Sequence, residues 1–177
     1  MLVTILKLIV DAIAVLLGSA LLLRFWMQAI RVRPPAQVAQ FTFQLSDWLV
    51  RPLRRVVPGM GGYDWASLIG AFLIVLLATS VLFFAGWPAQ AVLLAAFERF
   101  LKWILYGFMA MLVVEAIFSW VNPHAPLAPF VRALNEPLLK PIRRVVPLVG
   151  NLDLSLLVAL IALQIAQILL GMAFNGR

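Results

Sequence analysis

The sequence has 177 residues, of which 64% are hydrophobic and 12% charged, with a mean hydropathy of +1.05. Soluble domains are about half apolar and about a quarter charged. A single core in a chain of this length could not bury so many apolar side chains and leave a polar surface. We therefore predict an integral membrane protein. The net charge of +7 lies mostly beside apolar segments, which favours membrane topology and anionic lipid as its explanation over nucleic acid.

The chain contains no cysteine and a single histidine. These counts exclude disulfides, thiolate metal sites and any site that needs two imidazole ligands. His124 lies in a proline-rich turn, where a solvated histidine is far more common than a general base. The sequence has no nucleophilic triad, P-loop or zinc-protease motif. We therefore predict a protein that is not an enzyme and needs no cofactor or metal.

The N-terminal segment begins like a signal peptide, but Lys7 and Asp11 interrupt its apolar part and no small-x-small cleavage site follows. We predict a retained first membrane helix at about residues 8–30. This span is less uniform than the others because Asp11 and Arg24 lie inside it.

Three later segments have the length and apolarity of membrane spans, which need about 20 residues. Tryptophans lie at or near their ends, where an amphipathic ring favours the membrane interface. With the first helix they predict four spans, the later three at residues 65–87, 103–121 and 154–174. Residues 88–102 are predicted to extend the third helix along the outer interface, with Glu98, Arg99 and Lys102 exposed.

Four spans place the two long loops, residues 31–63 and 122–153, on the same side of the membrane. These loops hold nine of the fourteen lysines and arginines. By the positive-inside rule the loops face the cytoplasm and both termini face out.

A basic octapeptide occurs twice, as RPLRRVVP at residues 51–58 and KPIRRVVP at residues 140–147. The offset of 89 residues that aligns them also aligns flanking positions: Asp64 falls on Asp153 and Asp47 on Glu136. We predict two tandem repeats, residues 1–88 and 89–177. Each contains an even number of spans, so the repeats enter the membrane in the same sense.

Each long loop also has apolar residues at helical spacing, which predicts a short amphipathic helix that lies in the interface or packs under the bundle. The sequence does not choose between these places. The predicted apolar faces are Val38, Phe41, Leu45, Trp48 and Leu49 in the first loop, and Leu127, Phe130, Val131, Leu134 and Leu138 in the second.

The prolines of each octapeptide predict that its arginine pair lies on a non-helical or single-turn segment, since proline lacks an N–H and restricts the residue before it. Asp64 and Asp153 directly precede apolar spans and are predicted to be helix N-caps. The alternative is that each carboxylate also orients the arginine pair before it.

These motifs resemble the YggT family, also called YlmG, of small integral membrane proteins. The likeness covers essentially the whole chain. The sequence departs from the family at Glu115, where arginine is usual, and at Trp48, which matches Pro137 of the second half. The residues that carry the resemblance are Glu115, Ser119, Trp120, Asn122, Pro123, Pro137, Pro141, Arg143, Arg144, Pro147, Gly150, Asp153 and Ser155, with Arg24, Pro52, Arg54, Arg55, Pro58, Gly61, Asp64 and Ser67 in the first half.

The resemblance implies no enzymatic activity. Relatives are linked to cell division, osmotic tolerance and, in plastids, thylakoid organisation and cytochrome maturation. It therefore implies an organising or assembly role in a bacterial inner membrane, in which both termini face the periplasm.

Arg24 and Glu115 occupy similar places near the cytoplasmic ends of the first and third helices. A charge near the centre of a membrane helix costs about 2.5–3.5 kcal/mol on insertion scales. We therefore predict that Arg24 and Glu115 pair at the repeat interface. The alternative is that each side chain reaches the membrane surface separately.

The arginine pairs predict a pseudo-symmetric basic rim that binds anionic phospholipid or an acidic segment of a membrane-protein partner, because the guanidinium fork suits phosphate and carboxylate. Purely topogenic charge and an oligomeric channel or small-solute transporter are the alternatives, and a homo-oligomer is compatible with the sequence. The residues assigned to this rim are Arg51, Arg54, Arg55, Lys140, Arg143 and Arg144.

Overall fold

The computed structural model describes residues 2–146 and 153–175. The described part is helical and contains no β-strand, only an isolated bridge between Met60 and Tyr63. The helices are α1 (Leu2–Ala29), α2 (Ala36–Val56), α3 (Trp65–Thr79, continued by a 3-10 helix over Ser80–Ala85), α4 (Ala89–Val121), α5 (Ala128–Arg143) and α6 (Leu154–Asn175).

Four helical segments in the described ranges are long and apolar enough to cross a membrane, which confirms the predicted number of spans. Each overlaps its predicted range, and the third also includes the predicted helical extension over residues 88–102. The segments are Thr4–Ala29, Trp65–Ala85, Ala89–Val121 and Leu154–Phe174.

Helix α4 runs without a break for 33 residues, about 50 Å at 1.5 Å per residue. A hydrocarbon core is about 30 Å thick, so part of this helix extends beyond it. The three charged residues in its first half are partly buried. Lys102 Nζ lies 2.6 Å from Glu98 Oε1, and Arg99 Nη2 donates to Asp11 Oδ1 of α1 at 2.7 Å. The prediction that these charges are exposed is wrong, because each side chain is partly buried and pairs with an opposite charge.

The chain divides into two compact units. Unit 1 comprises Met1–Ala29 and Ala36–Trp103, and unit 2 comprises Ile30–Pro35 and Ile104–Arg177. The division falls inside α4, whereas the predicted repeats divide at residue 88. The repeat boundary rests on sequence alignment and stays a prediction.

In unit 1, α1 packs along α3, and α2 packs against both helices. A glycine allows close approach of α1 to Trp103. A Cβ at Gly18 would lie 2.3 Å from an atom of the Trp103 ring, closer than real Cβ contacts. Small residues that let neighbours approach in this way are typical of packed membrane helices.

In unit 2, α5 packs against α6. Gln167 of α6 also donates a hydrogen bond from Nε2 to Met109 Sδ of α4, at 3.0 Å. The core of this unit is aliphatic and consists of Leu112, Leu139, Leu156, Ala159 and Leu163.

The two loop segments form helices, but their buried faces differ. In α5 the buried residues include Val131 and Leu134 of the predicted apolar face. In α2 the buried residues are instead Thr42, Ser46 and Val50, while Phe41 and Trp48 are 57% and 58% exposed. Two residues of the predicted apolar face of α2 therefore lie away from its buried side, whereas Leu45 and Leu49 of that face are partly buried.

The helices continue through the prolines that were expected to interrupt them. Helix α2 passes Pro52 and ends at Val56, and α5 passes Pro141 and ends at Arg143. An internal proline removes one backbone hydrogen bond, but the next bonds still form, as Val57 N to Leu53 O at 2.7 Å shows. Arg54, Arg55 and Arg143 thus lie in the last turns of their helices rather than on a non-helical or single-turn segment, and Arg144 is the C-cap of α5. Pro147 and Gly150 lie outside the described residues.

Candidate functional site

Arg24 of α1 is buried, with 7% of its surface exposed. Its Nη1 donates to Ser46 Oγ at 2.7 Å and to Asp47 Oδ1 at 2.6 Å, both on α2. Its Nε lies 3.4 Å from Asp64 Oδ2, directly before α3, and its guanidinium lies over the Phe43 ring. The charge on the first span is therefore neutralised by the loop helix and by the start of the next span.

Asp64 is almost fully buried, at 1% exposure. Arg54 donates to both of its carboxylate oxygens, from Nη2 to Oδ2 at 2.6 Å and from Nε to Oδ1 at 3.2 Å. The Ser67 hydroxyl donates to Oδ2 at 2.7 Å. Asp64 occupies the N-cap position of α3, but its side chain caps no backbone N–H. Its carboxylate instead joins Arg54, Arg24 and the first turn of α3.

Arg51 is a weaker member of the same cluster. Its Nε and Nη2 donate to Asp47 Oδ2 at 3.1 and 2.7 Å, but its side chain is 79% exposed. Exposed pairs four residues apart on a helix contribute about 0.3–0.5 kcal/mol. Arg51 is therefore not needed to hold unit 1 together.

In unit 2 the buried charge is negative. Glu115 of α4 is 6% exposed, and its Oε2 accepts a hydrogen bond from Asn135 Nδ2 of α5 at 2.7 Å. The same Nδ2 donates to the Met111 carbonyl at 2.9 Å. Arg143 Nη2 lies 3.3 Å from Glu115 Oε1. As in unit 1, the loop helix neutralises a charge on the membrane span.

Arg143 binds three carboxylates. Its Nε donates to Asp153 Oδ2 at 3.0 Å and its Nη1 to Glu136 Oε2 at 3.0 Å, while Nη2 reaches Glu115. The other oxygen of Asp153 accepts the backbone N–H of Ser155 at 3.0 Å. Asp153 thus both caps α6 and binds the arginine of the preceding loop.

The two clusters share a spacing. The clamping arginine precedes its aspartate by ten residues in both units, as Arg54 to Asp64 and Arg143 to Asp153. Each loop helix also places one uncharged polar side chain against the buried charge of a span, Ser46 on Arg24 and Asn135 on Glu115. Sequence analysis did not single out this last pair. The signal was present, since Ser46 and Asn135 are also 89 residues apart.

The predicted contact between Arg24 and Glu115 stays a prediction. Within unit 1, Arg24 already has carboxylate partners in Asp47 and Asp64. Within unit 2, Glu115 already has a guanidinium partner in Arg143. Each buried charge therefore has an opposite charge nearby without any further pairing.

The second arginine of each pair has a different environment from the first. Arg55 and Arg144 are exposed, as is Lys140. Within residues 2–146 and 153–175, none of these three side chains forms an ion pair. Each octapeptide thus supplies one clamped guanidinium, Arg54 or Arg143, and beside it an exposed arginine without an ion pair to the described residues.

The hydrogen bonds change the acidity of the aspartates. Burial alone would raise the pKa of Asp64 and of Asp153, but hydrogen bonds from the arginines and serines outweigh it and hold both below their ordinary range. The hydrogen bond from Arg24 similarly lowers the pKa of Asp47. Within the described ranges no group of three or more His, Cys, Asp or Glu residues is placed to hold a metal ion.

The lowered aspartate pKa values predict acid sensitivity. A carboxyl whose pKa is depressed on folding stabilises the fold above its unfolded pKa of about 3.9, and this contribution disappears as pH falls through the lower folded value. We expect the thermal midpoint in detergent to change little between about pH 7 and 5 and to fall below about pH 4. In Asp64→Asn the thermal midpoint should fall less steeply with decreasing pH. A midpoint that rises below pH 4 would contradict the assignment.

Comparison with known proteins agrees with this architecture. The chain matches the CCB3/YggT family in two segments, residues 2–85 and 94–174. It is 34% identical over 163 residues to "Uncharacterized protein in proC 3'region" of Vibrio alginolyticus, a match that covers 85% of this chain and 84% of the relative. It is also 34% identical over 146 residues to "Uncharacterized protein YggT" of Escherichia coli K12, covering 82% and 78%.

A third relative, "Uncharacterized protein PA0392" of Pseudomonas aeruginosa, is 34% identical over 155 residues, covering 84% of this chain and 79% of the relative. No solved structure matches the chain. The family match extends over both units and includes both arginine clusters. The chain belongs to the CCB3/YggT family of membrane proteins.

Proposed function

We propose that this chain is a non-enzymatic inner-membrane protein that binds anionic phospholipid headgroups at the cytoplasmic leaflet. Arg55 and Arg144 are the principal ligands, and Lys140 and Arg51 lie close to them in sequence. The observation that carries the proposal is the exposed arginine beside each clamped one. By holding lipid in this way, the protein organises the leaflet for membrane-protein partners.

The chemistry of arginine supports this ligand. A planar guanidinium can bind two phosphate oxygens at once and is less strongly hydrated than an ammonium group. Each basic residue near an anionic leaflet contributes about 1 kcal/mol. The neighbouring clamp, Arg54 on Asp64 or Arg143 on Asp153, fixes the backbone that carries the exposed residue, so less conformational entropy is lost on binding.

The proposed topology consists of two tandem repeats that enter the membrane in the same direction. The two family segments, residues 2–85 and 94–174, support a repeat, and each contains two of the four apolar spans. The positive-inside rule then directs both basic loops to the cytoplasm. In this topology Arg55 and Arg144 both face the anionic inner leaflet.

Native mass spectrometry with phosphatidylglycerol tests the proposal. We expect the Arg55→Gln/Arg144→Gln variant to retain less of this lipid than the wild type, with affinity reduced about fivefold for each arginine, since about 1 kcal/mol is lost each time. Retention of zwitterionic phosphatidylethanolamine should not change. The thermal midpoint should stay close to that of the wild type, because neither side chain has an ion pair in the described part of the chain.

The matched control is Arg33→Gln/Arg132→Gln. It removes the same number of charges from the same two loops, and both side chains are exposed. We expect this control to retain phosphatidylglycerol nearly as well as the wild type. Equal losses in the two variants would show that only net loop charge matters, which is the topogenic alternative. Unchanged phosphatidylglycerol retention in both variants would contradict the proposal that the arginines bind lipid.

A further inference from the structure

Helix α2 presents three distinct faces along its length. At about 100° per residue, Thr42, Ser46 and Val50 form the buried face toward α1 and α3. Roughly opposite them lies a stripe at seven-residue spacing, Phe41, Trp48 and Arg55, all of which are exposed. The face has two aromatic rings in line and a guanidinium at the end nearest α3.

A polar arc borders this stripe. Gln40, Gln44 and Arg51 are exposed and line a shallow groove of about 500 Å³ together with Phe43, Asp47 and Trp48. Residue 40 lies about 100° from residue 41 around the helix axis. The exposed surface of α2 is thus divided lengthwise into an aromatic stripe and a polar arc.

The middle of α2 contacts the first span near the end of that span, where a membrane boundary is expected. Ser46 and Asp47 bond to Arg24, which lies five residues, about 8 Å, before the end of α1. The same end of unit 1 carries an aromatic cluster of Phe25, Tyr63 and Trp65, with ring centroids 6.0–6.3 Å apart. Aromatic rings of this kind are enriched at the membrane–water interface.

The polar N–H of the Trp48 indole already has a hydrogen-bond acceptor within α2. Its Nε1–H donates to the Leu45 carbonyl of the same helix at 2.8 Å. The polar atom of the ring therefore has a partner, and burying the ring in lipid leaves no donor unsatisfied. Arg55, two helical turns further on, can remain at the level of the phosphates while the rings enter the acyl region.

We infer that the stripe of Phe41, Trp48 and Arg55 inserts into the cytoplasmic leaflet, with the rings below the headgroups and the Arg55 guanidinium on a lipid phosphate. This inference rests on the proposed function and adds a hydrophobic contact made by unit 1. At the position that matches Trp48, α5 has Pro137. Two exposed aromatic residues beside a cation favour an anionic bilayer as the occupant over an aqueous acidic protein.

Spin labelling tests the insertion directly, since the chain contains no cysteine. Phe41→Cys, Trp48→Cys and the control Gln40→Cys each receive one nitroxide, and the proteins are reconstituted in phosphatidylcholine vesicles with and without phosphatidylglycerol. We expect the ratio of oxygen to nickel-chelate accessibility to be several-fold higher at residues 41 and 48 than at residue 40, in both lipid mixtures. Thermal midpoints near that of the wild type show that the labelled proteins are folded.

The possible outcomes separate this inference from lipid binding by the arginines. Equal ratios at residues 40, 41 and 48, with chelate access at all three, would overturn the insertion. Labels at 41 and 48 that are immobile and closed to both reagents would also overturn it, because a protein would then cover the stripe. The mass-spectrometric loss of phosphatidylglycerol in Arg55→Gln/Arg144→Gln is measured separately and can stand if the insertion fails.

Discussion

Asp64→Asn is expected to destabilise unit 1 by about 3–5 kcal/mol, the range for removing one partner of a buried ion pair. Asp64 has 1% of its surface exposed and binds Arg54 through both oxygens, with Arg24 3.4 Å away. An asparagine has one acceptor oxygen and no charge. Arg24 would then remain buried with only Asp47 to neutralise it. Reversible unfolding in detergent, monitored by circular dichroism, measures the loss.

Asp47→Asn is the matched control for this prediction. It also removes a carboxylate from Arg24, but its side chain is 27% exposed, compared with 1% for Asp64. Water can replace part of what Asp47 supplies, so its loss should cost less. If Asp47→Asn destabilises the protein as much as Asp64→Asn, the central position assigned to Asp64 is wrong.

Arg143→Gln is expected to destabilise unit 2, because Glu115, Glu136 and Asp153 all lose their guanidinium partner. The Arg143 side chain is 30% exposed, so we expect a loss of about 1–3 kcal/mol, below the range for a fully buried pair. Most of the loss should come from Glu115, whose side chain is 7% exposed. The same unfolding assay measures it.

A double-mutant cycle identifies which carboxylate is responsible. Adding Glu115→Gln to Arg143→Gln should restore part of the stability, with a coupling energy of about 0.5–3 kcal/mol, because a neutral amide replaces the unpaired charge. Glu136→Gln is the control, since its side chain is 49% exposed and exposed pairs contribute about 1 kcal/mol or less. Equal coupling for Glu115 and Glu136 would contradict the dominant contribution of the buried residue.

The membrane spans could be predicted from sequence because length and apolarity alone decide which segments cross a bilayer. The fourth span coincides with the prediction, Leu154–Phe174. The third was predicted at residues 103–121 with a helical extension over residues 88–102, and α4 joins the two in one helix, Ala89–Val121. The charges of the extension are tolerated in one continuous helix since Glu98 pairs with Lys102 and Arg99 with Asp11.

The packing of the loop helices was harder to predict. Apolar periodicity predicts which helix face is buried in an apolar environment. In α2 this predicted face included Phe41 and Trp48, which are exposed in the structure. The buried side of α2 includes polar residues because it must bond to Arg24, and Ser46 provides that bond. Hydrophobic patterning gives no information on such a contact. Alignment of the two halves gives some, since Ser46 falls on Asn135.

The arginine pairs were identified from the sequence, but the sequence did not show which arginine of each pair binds an aspartate. Composition treats Arg54 and Arg55 as equal members of a basic segment. In the structure their environments differ because helix α2 continues through Pro52. Adjacent side chains on a helix point about 100° apart. The Arg54 guanidinium then reaches Asp64, and Arg55 forms no ion pair with the described residues.

The central claim is that Arg55 and Arg144 are both exposed at the cytoplasmic face of the membrane. Cysteine accessibility in cells tests it most directly, with single cysteines at residues 55, 144 and 90 in this cysteine-free chain. Gln90 is exposed in the first turn of α4, on the predicted periplasmic side. We expect a membrane-impermeant maleimide to label residue 90 in intact spheroplasts and residues 55 and 144 only after permeabilisation. Labelling of either residue 55 or residue 144 in intact spheroplasts would contradict the account.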